Sequence, residues 1–275
     1  TGTHGDTGTH DDTGTHGDTD TPIIPLPDSD FDGVTDTEDV CPGYDDAADI
    51  DEDRVPDGCD GTARASHTCY EARYTAVDIV DWKVCIETSL FEPGDLGPAT
   101  LRLLEHDLNR IIDVIDADVV SWLKTVRIWV EEDGAWPAGV YHPSAAWLGS
   151  HGYPTHWAES FQIGEARNYL DWTSIQPAMV LHELAHAWHH QVLGYDRPDI
   201  LAAYDSAMAA GLYDSVPYAG GGYLEAYAAG SAVEYFAELT EAWFWENDYF
   251  PYDRDDLRSH DPAGAAVIQA AWRID

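Results

Sequence analysis

The sequence has very few basic residues: 13 Lys and Arg stand against 52 Asp and Glu, which gives a formal net charge of −39. Proteins that bind nucleic acids or anionic membranes need clustered Lys and Arg, so this shortage argues against both functions. Long apolar runs are also missing, and none reaches the roughly 18 residues that cross a membrane. We therefore expect neither a nucleic-acid partner nor a membrane-spanning segment.

The acidic residues that are present lie unevenly along the chain. Residues 1–60 contain 19 of them and a single basic residue. Residues 1–21 repeat a pattern of Thr, Gly, His and Asp without any apolar side chain, and such a segment cannot bury a core. We predict a disordered stalk with a proline hinge over residues 1–27. The stalk resembles the tether of a bacterial surface lipoprotein, which implies N-terminal attachment to a lipid or a surface.

Residues 28–60 show an aspartate spacing that is typical of calcium loops. The pattern D-x-D-x-D-G-x-x-D-x-x-D begins at Asp28, and it suits a hard cation that takes about six to eight oxygen ligands. The same spacing returns from Asp49, although Arg54 replaces the turn glycine. The predicted calcium ligands are Asp28, Asp30, Asp32, Val34, Asp36, Asp39, Asp49, Asp51, Asp53, Val55, Asp57 and Asp60.

This acidic module, with a cysteine in each half, resembles a thrombospondin type 3 repeat. The resemblance implies two or more structural Ca²⁺ ions and a disulfide between Cys41 and Cys59. A hairpin centred near Val77 would set Cys69 opposite Cys85, which gives a local pairing for the other two cysteines. Four paired cysteines indicate an oxidising compartment, so we expect an extracellular or bacterial cell-surface protein. The alternative is four reduced, buried thiols.

Beyond a linker and hairpin at residues 61–98, the composition becomes that of a globular domain at residues 99–275. Apolar residues at helical spacing predict an amphipathic helix over residues 100–116, and alternation over residues 126–130 predicts a strand. Phe161 and Ile163 suggest a second short strand, and the aromatic-rich residues 134–157 between them are predicted as a long functional loop. We expect an α+β domain that is mostly helical with a small sheet.

One predicted helix, over residues 174–194, carries the motif His182-Glu183-Leu184-Ala185-His186. Its two histidines are four residues apart, so both imidazoles project from one face, as two ligands of one tetrahedral Zn²⁺ require. Glu183 lies beside the first ligand and can take a proton from an attacking water molecule. His189 and His190 lie further along the helix, and we predict that both are solvated or lie outside the coordination sphere.

The third ligand is predicted on a helix that runs from Ser231 to about residue 247. Glu234 and Glu238 share one face of this largely apolar segment, so one can bind the metal while the other accepts a hydrogen bond from a ligand imidazole. Glu241, one turn further on, and Glu225 are the other available acids. A surface pair of glutamates is the simpler alternative for this spacing.

The two histidines followed by Glu-Tyr-Phe-Ala-Glu at residues 234–238 resemble the gluzincin metallopeptidases, in particular the peptidase domain of anthrax lethal factor and its relatives. The resemblance implies a zincin-like fold, one catalytic Zn²⁺ held by His182, His186 and Glu234, and Glu183 as the general base. Glu238 matches the carboxylate that supports a ligand imidazole. Tyr227, seven residues before Glu234, matches a tyrosine that assists the oxyanion, a role for which His142 is the alternative. Otherwise Tyr227 would be a packed core aromatic and His142 a surface histidine.

These patterns lead to one main hypothesis, an exported, monomeric zinc metalloendopeptidase that acts on peptide or protein substrates. The second hypothesis is a calcium-dependent surface or adhesion protein whose zinc site is structural or inactive. A hydrolase of non-peptide amides is a third reading. Zinc stoichiometry combined with a peptide-library cleavage assay separates the first two.

Overall fold

The structure, a computed structural model, describes residues 34–41 and 67–273. This part of the chain is α+β, mostly helical with a small mixed sheet, as the sequence predicted. Its α-helices are α1 (Leu96–Val114), α2 (Ala117–Leu123), α3 (Ala145–Ser150), α4 (Ala166–Trp172), α5 (Met179–Trp188), α6 (Pro198–Ala209), α7 (Ala232–Phe244), α8 (Arg254–His260) and α9 (Pro262–Ala271). Its strands are β1 (Tyr74–Ile79), β2 (Trp82–Glu87), β3 (Ile128–Val130), β4 (Gly139–Tyr141), β5 (Phe161–Ile163), β6 (Val216–Pro217) and β7 (Tyr223–Leu224).

Five of the strands form one sheet in the order β1-β2-β3-β5-β4, while β6 and β7 pair separately. The three central strands are parallel, and β1 and β4 run antiparallel to their neighbours at the two edges. The sequence predicts a division of the chain after residue 98, into a linker with a hairpin and a globular domain. Strand β2 lies before this division and β3 after it, yet the two strands pair in one sheet. The hairpin and the globular domain therefore share a core.

A disulfide joins Cys69 to Cys85, as the sequence predicted, but the predicted hairpin geometry is wrong. The turn of the hairpin lies at Val80 and Asp81, both of which have positive φ, and not near Val77. Cys85 therefore pairs across the hairpin with Ala76, whereas Cys69 precedes β1. The bond ties the segment that enters the sheet to the second strand.

The predicted long helix is confirmed as α1, which begins four residues earlier than expected, at Leu96. Its buried stripe includes Leu104, Leu108 and Ile111, and it packs in one core with the apolar residues of β2, β3 and α5. The predicted strands at residues 126–130 and 161–163 are confirmed as β3 and β5. These elements form the platform on which α5 lies.

Residues 134–157, predicted as a loop, instead contain β4, α3 and a turn of 3₁₀ helix at Thr155–Trp157. Strand β4 is only three residues long and begins with a glycine, so it has too little alternation to be detected in the sequence. Its position at the sheet edge depends on pairing with β5, which is a long-range contact.

Helices α5 and α7 pack directly against each other, and together they carry the residues predicted to bind a metal. All ten residues of α5 are buried, and the helix continues as a π-helical turn over His189–Leu193 that ends at Gly194, where φ is +84°. Helix α7 begins where the sequence predicted, because the Ser231 hydroxyl accepts a hydrogen bond from the backbone N–H of Glu234 at 3.2 Å. This cap places Glu234 in the first turn.

Most of the predicted calcium module lies outside the described residues, including Cys59 and all the predicted ligands except Val34, Asp36 and Asp39. These three belong to a short turn in which the Thr35 carbonyl accepts hydrogen bonds from two following N–H groups. Cys41 is buried and disulfide-bonded. Within the described ranges, no helix has the length and apolar character needed to cross a membrane.

Candidate metal centre

The three predicted ligand side chains converge at the contact between α5 and α7. Glu234 Oε2 lies 3.1 Å from His182 Nε2 and 3.2 Å from His186 Nε2. Ligand atoms about 2.0–2.1 Å from one tetrahedral ion lie about 3.3 Å from each other, so these separations suit such an ion. Both histidines are buried, and Glu234 is partly buried. The site could therefore hold a metal ion between two neighbouring helices.

The orientation of His182 is fixed by Glu241 and not by Glu238, contrary to the prediction. His182 Nδ1 donates a hydrogen bond to Glu241 Oε1 at 2.6 Å, whereas Glu238 Oε1 lies 3.8 Å from the same nitrogen. In the neutral imidazole the single proton would stay on Nδ1, so that Nε2 could bind a metal in place of its second proton. Glu238, Glu241 and Glu234 share one face of α7, and the packing angle of α7 decides which of them reaches His182.

The electrostatics of the site favour a bound cation. Burial opposes the charged form of His182, but Glu234 and Glu241 outweigh it and raise the pKa of His182 well above its usual value. Burial also opposes ionisation of Glu234, yet its contacts with His182 and His186 lower its pKa. Carboxylates that hold a proton on His182 this firmly also attract a metal cation to the same place.

Glu183 is buried and lies beside edge strand β4. Its carboxylate accepts a hydrogen bond from the Tyr141 backbone, and burial raises its pKa despite the opposing influence of His186 and His182. A Cβ placed on Gly139 would clash with Met179 Sδ and lie 3.0 Å from Glu183 Cγ, so the missing side chain lets β4 pass close to α5. Glu183 thus lines the cleft with a raised pKa, and a raised pKa favours a role as general base.

The histidines and Glu183 line a cleft of about 480 Å³ together with residues from β4 and from the segment before α7. Tyr227 lies on the rim, with its ring centroid 6.2 Å from that of His182 and 53% of its surface exposed, so it is not a packed core aromatic. Burial and then the charge of Glu234 raise the pKa of Tyr227, which keeps its hydroxyl protonated as a donor.

His142 is not a surface residue, contrary to the sequence prediction, and His189 is the buried one of the two alternatives predicted for it. His142 is 3% exposed, its Nε2 donates to Gln162 Oε1 at 2.9 Å, and it is not among the residues that line the cleft of the predicted ligands. His189 is fully buried against Phe236 and Tyr195. His142 is therefore committed to a structural hydrogen bond and does not serve as the oxyanion donor.

Sequence reasoning missed three parts of the cleft. Tyr195, just after the π-helical turn, and Asp248, just after α7, both line it, and Gly139 allows β4 to approach α5. None of the three belongs to a short motif, because each reaches the cleft only through the tertiary fold. Glu241 was visible in the sequence as a continuation of the stripe of Glu234 and Glu238 on α7.

Comparisons with protein-family models, with curated proteins and with solved structures found no match for this chain. The likeness to gluzincins noted from the motifs therefore stays a prediction. What the centre does chemically has to be inferred from its own geometry.

Proposed function

We propose that the protein is a zinc-dependent metallopeptidase that hydrolyses peptide bonds. The observation that carries this proposal is the convergence of His182 Nε2, His186 Nε2 and Glu234 Oε2 beside the buried carboxylate of Glu183. Two imidazoles, one carboxylate and an adjoining cleft that leaves room for a further ligand are typical of catalytic zinc sites. Zinc bound there would polarise a substrate carbonyl and increase the acidity of a water molecule.

Glu183 supplies the acid–base chemistry in this proposal. With its pKa raised by burial, it accepts the proton of the attacking water and later transfers that proton to the leaving amine. Tyr227 donates a hydrogen bond to the carbonyl oxygen as negative charge develops there. Glu241 holds His182 in the orientation that exposes Nε2 to the metal.

Strand β4 supports a peptide substrate over other amides. It is an edge strand that pairs with β5 on one side. Ala138, just before it, accepts a hydrogen bond from the Gly164 N–H, and His142, just after it, donates one to the Ser160 carbonyl. In an antiparallel pair such bonds fall on every second residue. The peptide groups of Gly139 and Tyr141 therefore point away from β5, towards the cleft that both residues line. The Tyr141 N–H already donates to Glu183, so an extended peptide can add to this edge through the Gly139 peptide groups and the Tyr141 carbonyl and lie across the predicted ligands.

A second cavity next to β4 supports a preference for bulky apolar side chains. It measures about 420 Å³ and shares Val140, Tyr141 and Pro143 with the main cleft. Most of its wall is aromatic or aliphatic, with Trp136, Trp147 and Leu148 on the far side. We call this cavity the Trp136–Trp147 pocket, and we infer that it holds an aromatic or large aliphatic side chain of the substrate.

The proposal is tested by Glu183→Gln, with the exposed Glu225→Gln as a matched control. We expect Glu183→Gln to retain one zinc ion per chain and to lose cleavage of a peptide library, while Glu225→Gln keeps both properties. Normal cleavage by Glu183→Gln would refute the assigned base. A wild-type protein that binds zinc but cleaves no peptide would instead support the adhesion-protein hypothesis.

A further inference from the structure

Four buried side chains with oxygen atoms lie behind His182, at the end of α7. Glu238 and Glu241 belong to the helix, Asn247 and Asp248 follow it, and none is more than 6% exposed. We call this group the α7 acidic cluster. Within the described residues, five of its oxygens lack a well-formed hydrogen bond: both of Glu238, Oε2 of Glu241, Oδ1 of Asn247 and Oδ1 of Asp248. Buried oxygens in such numbers require a partner.

The cluster also contains more carboxylates than cationic partners. Among the described residues, His182 is the only cationic side chain that forms an ion pair with Glu238 or Glu241, and no Lys or Arg is found among the residues lining the cleft. Burial, and then the charge of Glu241, raises the pKa of Asp248 to about 7. Ionised carboxylates this deeply buried are costly unless a cation binds them.

We propose that the α7 acidic cluster binds a second divalent cation, Ca²⁺, in addition to the ion held by His182, His186 and Glu234. The donors are all oxygens, and hard cations prefer oxygen ligands. The Asn247 amide nitrogen approaches Glu238, while its amide oxygen is buried without a partner and could bind the cation. Glu238 and Asp248 also line the cleft, so the ion has a route in and water molecules can complete its coordination.

Glu241 would connect the two ions, since it would bind the second one and holds His182, a ligand of the first. Its Oε1 accepts the hydrogen bond from His182 Nδ1, while Oε2 is left for the second cation. Calcium at this position would hold Glu241 in place and, through it, the ring of His182. This site goes beyond the proposed function, because it would exist equally in a protein that cleaves nothing.

The test is the calcium stoichiometry of the zinc-loaded full-length chain, measured by equilibrium dialysis against Ca²⁺. We compare the wild type with Asp248→Asn, Glu238→Gln and the control Asp205→Asn, which removes an exposed charge from α6. We expect the first two variants to bind one Ca²⁺ fewer per chain than the wild type and the control. All four proteins share the predicted calcium ligands of residues 28–60, so that contribution cancels. Equal stoichiometry in all four folded proteins would overturn the proposal.

Two further measurements, the Tm and anomalous diffraction, test the proposal even if one of the variants folds poorly. In saturating Ca²⁺ we expect Asp248→Asn to lower the Tm, whereas a cluster without a cation would gain stability when one of its repelling charges is removed. Crystals of the wild type grown with Tb³⁺ in place of Ca²⁺ should show an anomalous peak about 2.3–2.6 Å from the cluster oxygens. Absence of that peak would overturn the proposal without reference to any variant.

Discussion

His182 Nδ1 lies 2.6 Å from Glu241 Oε1, so a residue seven positions after the predicted metal ligand Glu234 sets the orientation of the first histidine. The hydrogen bond fixes the tautomer of His182 and keeps Nε2 directed towards Glu234 and His186. The neighbouring Glu238 is held further away, at 3.8 Å. Glu241 and Glu238 look nearly equivalent in the sequence, but only Glu241 is close enough to His182 Nδ1 for a hydrogen bond.

We expect Glu241→Gln to lower the zinc affinity by about 10- to 100-fold, because loss of the charge weakens the hold on His182 Nδ1. Glu238→Gln should change the zinc affinity much less. The measurement is zinc competition with a chromophoric chelator at fixed, saturating Ca²⁺. A larger loss in Glu238→Gln than in Glu241→Gln would contradict the assignment of the hydrogen bond.

Tyr227→Phe should lower kcat for peptide cleavage by about 100-fold, because it removes one donor to the developing oxyanion. The zinc content and KM should stay close to the wild-type values, since the ring remains. Tyr195→Phe is the matched control, because Tyr195 lines the same cleft and keeps an equivalent ring. If Tyr195→Phe loses activity and Tyr227→Phe does not, the two tyrosines have exchanged roles.

Asp107 should make the folded chain less stable as the pH rises from about 4 to about 7. Burial raises its pKa from 3.8 to about 7, despite the hydrogen bond that Tyr169 donates to Oδ2 at 2.5 Å. Between these values the unfolded chain has released the proton while the folded chain retains it, so the free energy of unfolding falls with increasing pH. Below pH 4 both states are protonated, and no penalty remains.

Asp107→Asn should remove this pH dependence and increase the free energy of unfolding at pH 8 by about 1–4 kcal/mol. The amide oxygen still accepts the hydrogen bond from Tyr169. Urea unfolding at pH 4 and pH 8 measures the effect, with the exposed Asp113→Asn on the same helix as the control. A wild-type dependence that persists in Asp107→Asn would assign the titration to other groups.

Trp147→Ala should reduce the preference for bulky apolar side chains, because Trp147 forms one wall of the Trp136–Trp147 pocket. We expect kcat/KM for Phe-containing peptides to fall about 10-fold relative to matched Ala-containing peptides, as expected from the apolar contact that is lost. The measurement is a competition between the two peptides in one reaction. An equal loss for both peptides would show that Trp147 supports the fold and not the choice of substrate.

The motif on α5 was predictable because its geometry is local. His182 and His186 share a helix face at any position in the fold, and Glu183 necessarily lies beside them. Glu234 followed from the same reasoning on α7, and the Ser231 cap marked where that helix begins. Local periodicity also sufficed for α1, β3 and β5.

The remaining features depend on tertiary contacts that no short window of sequence contains. The choice between Glu238 and Glu241 follows from how α7 rotates against α5. His142 is buried because β4 joins the edge of the sheet, and His189 because the π-helical turn packs beneath Phe236. The hairpin turn lies at Val80 and Asp81, and not at the predicted Val77, because the pairing register of β1 with β2 sets its position and the cysteine positions do not.

The Cys69–Cys85 disulfide also determines how mechanical load would pass through the protein. The polypeptide that precedes residue 67 continues into the described domain through the segment that contains Cys69. A pull from that side therefore reaches β2 through a covalent bond, in addition to the hydrogen bonds of His67 with Asp78 of β1 and Val84 of β2. Strand β4, beside the cleft, lies at the opposite edge of the sheet. A protein held by its N-terminal segment would thus take up tension first in β1 and β2, the two strands furthest from β4 in the sheet.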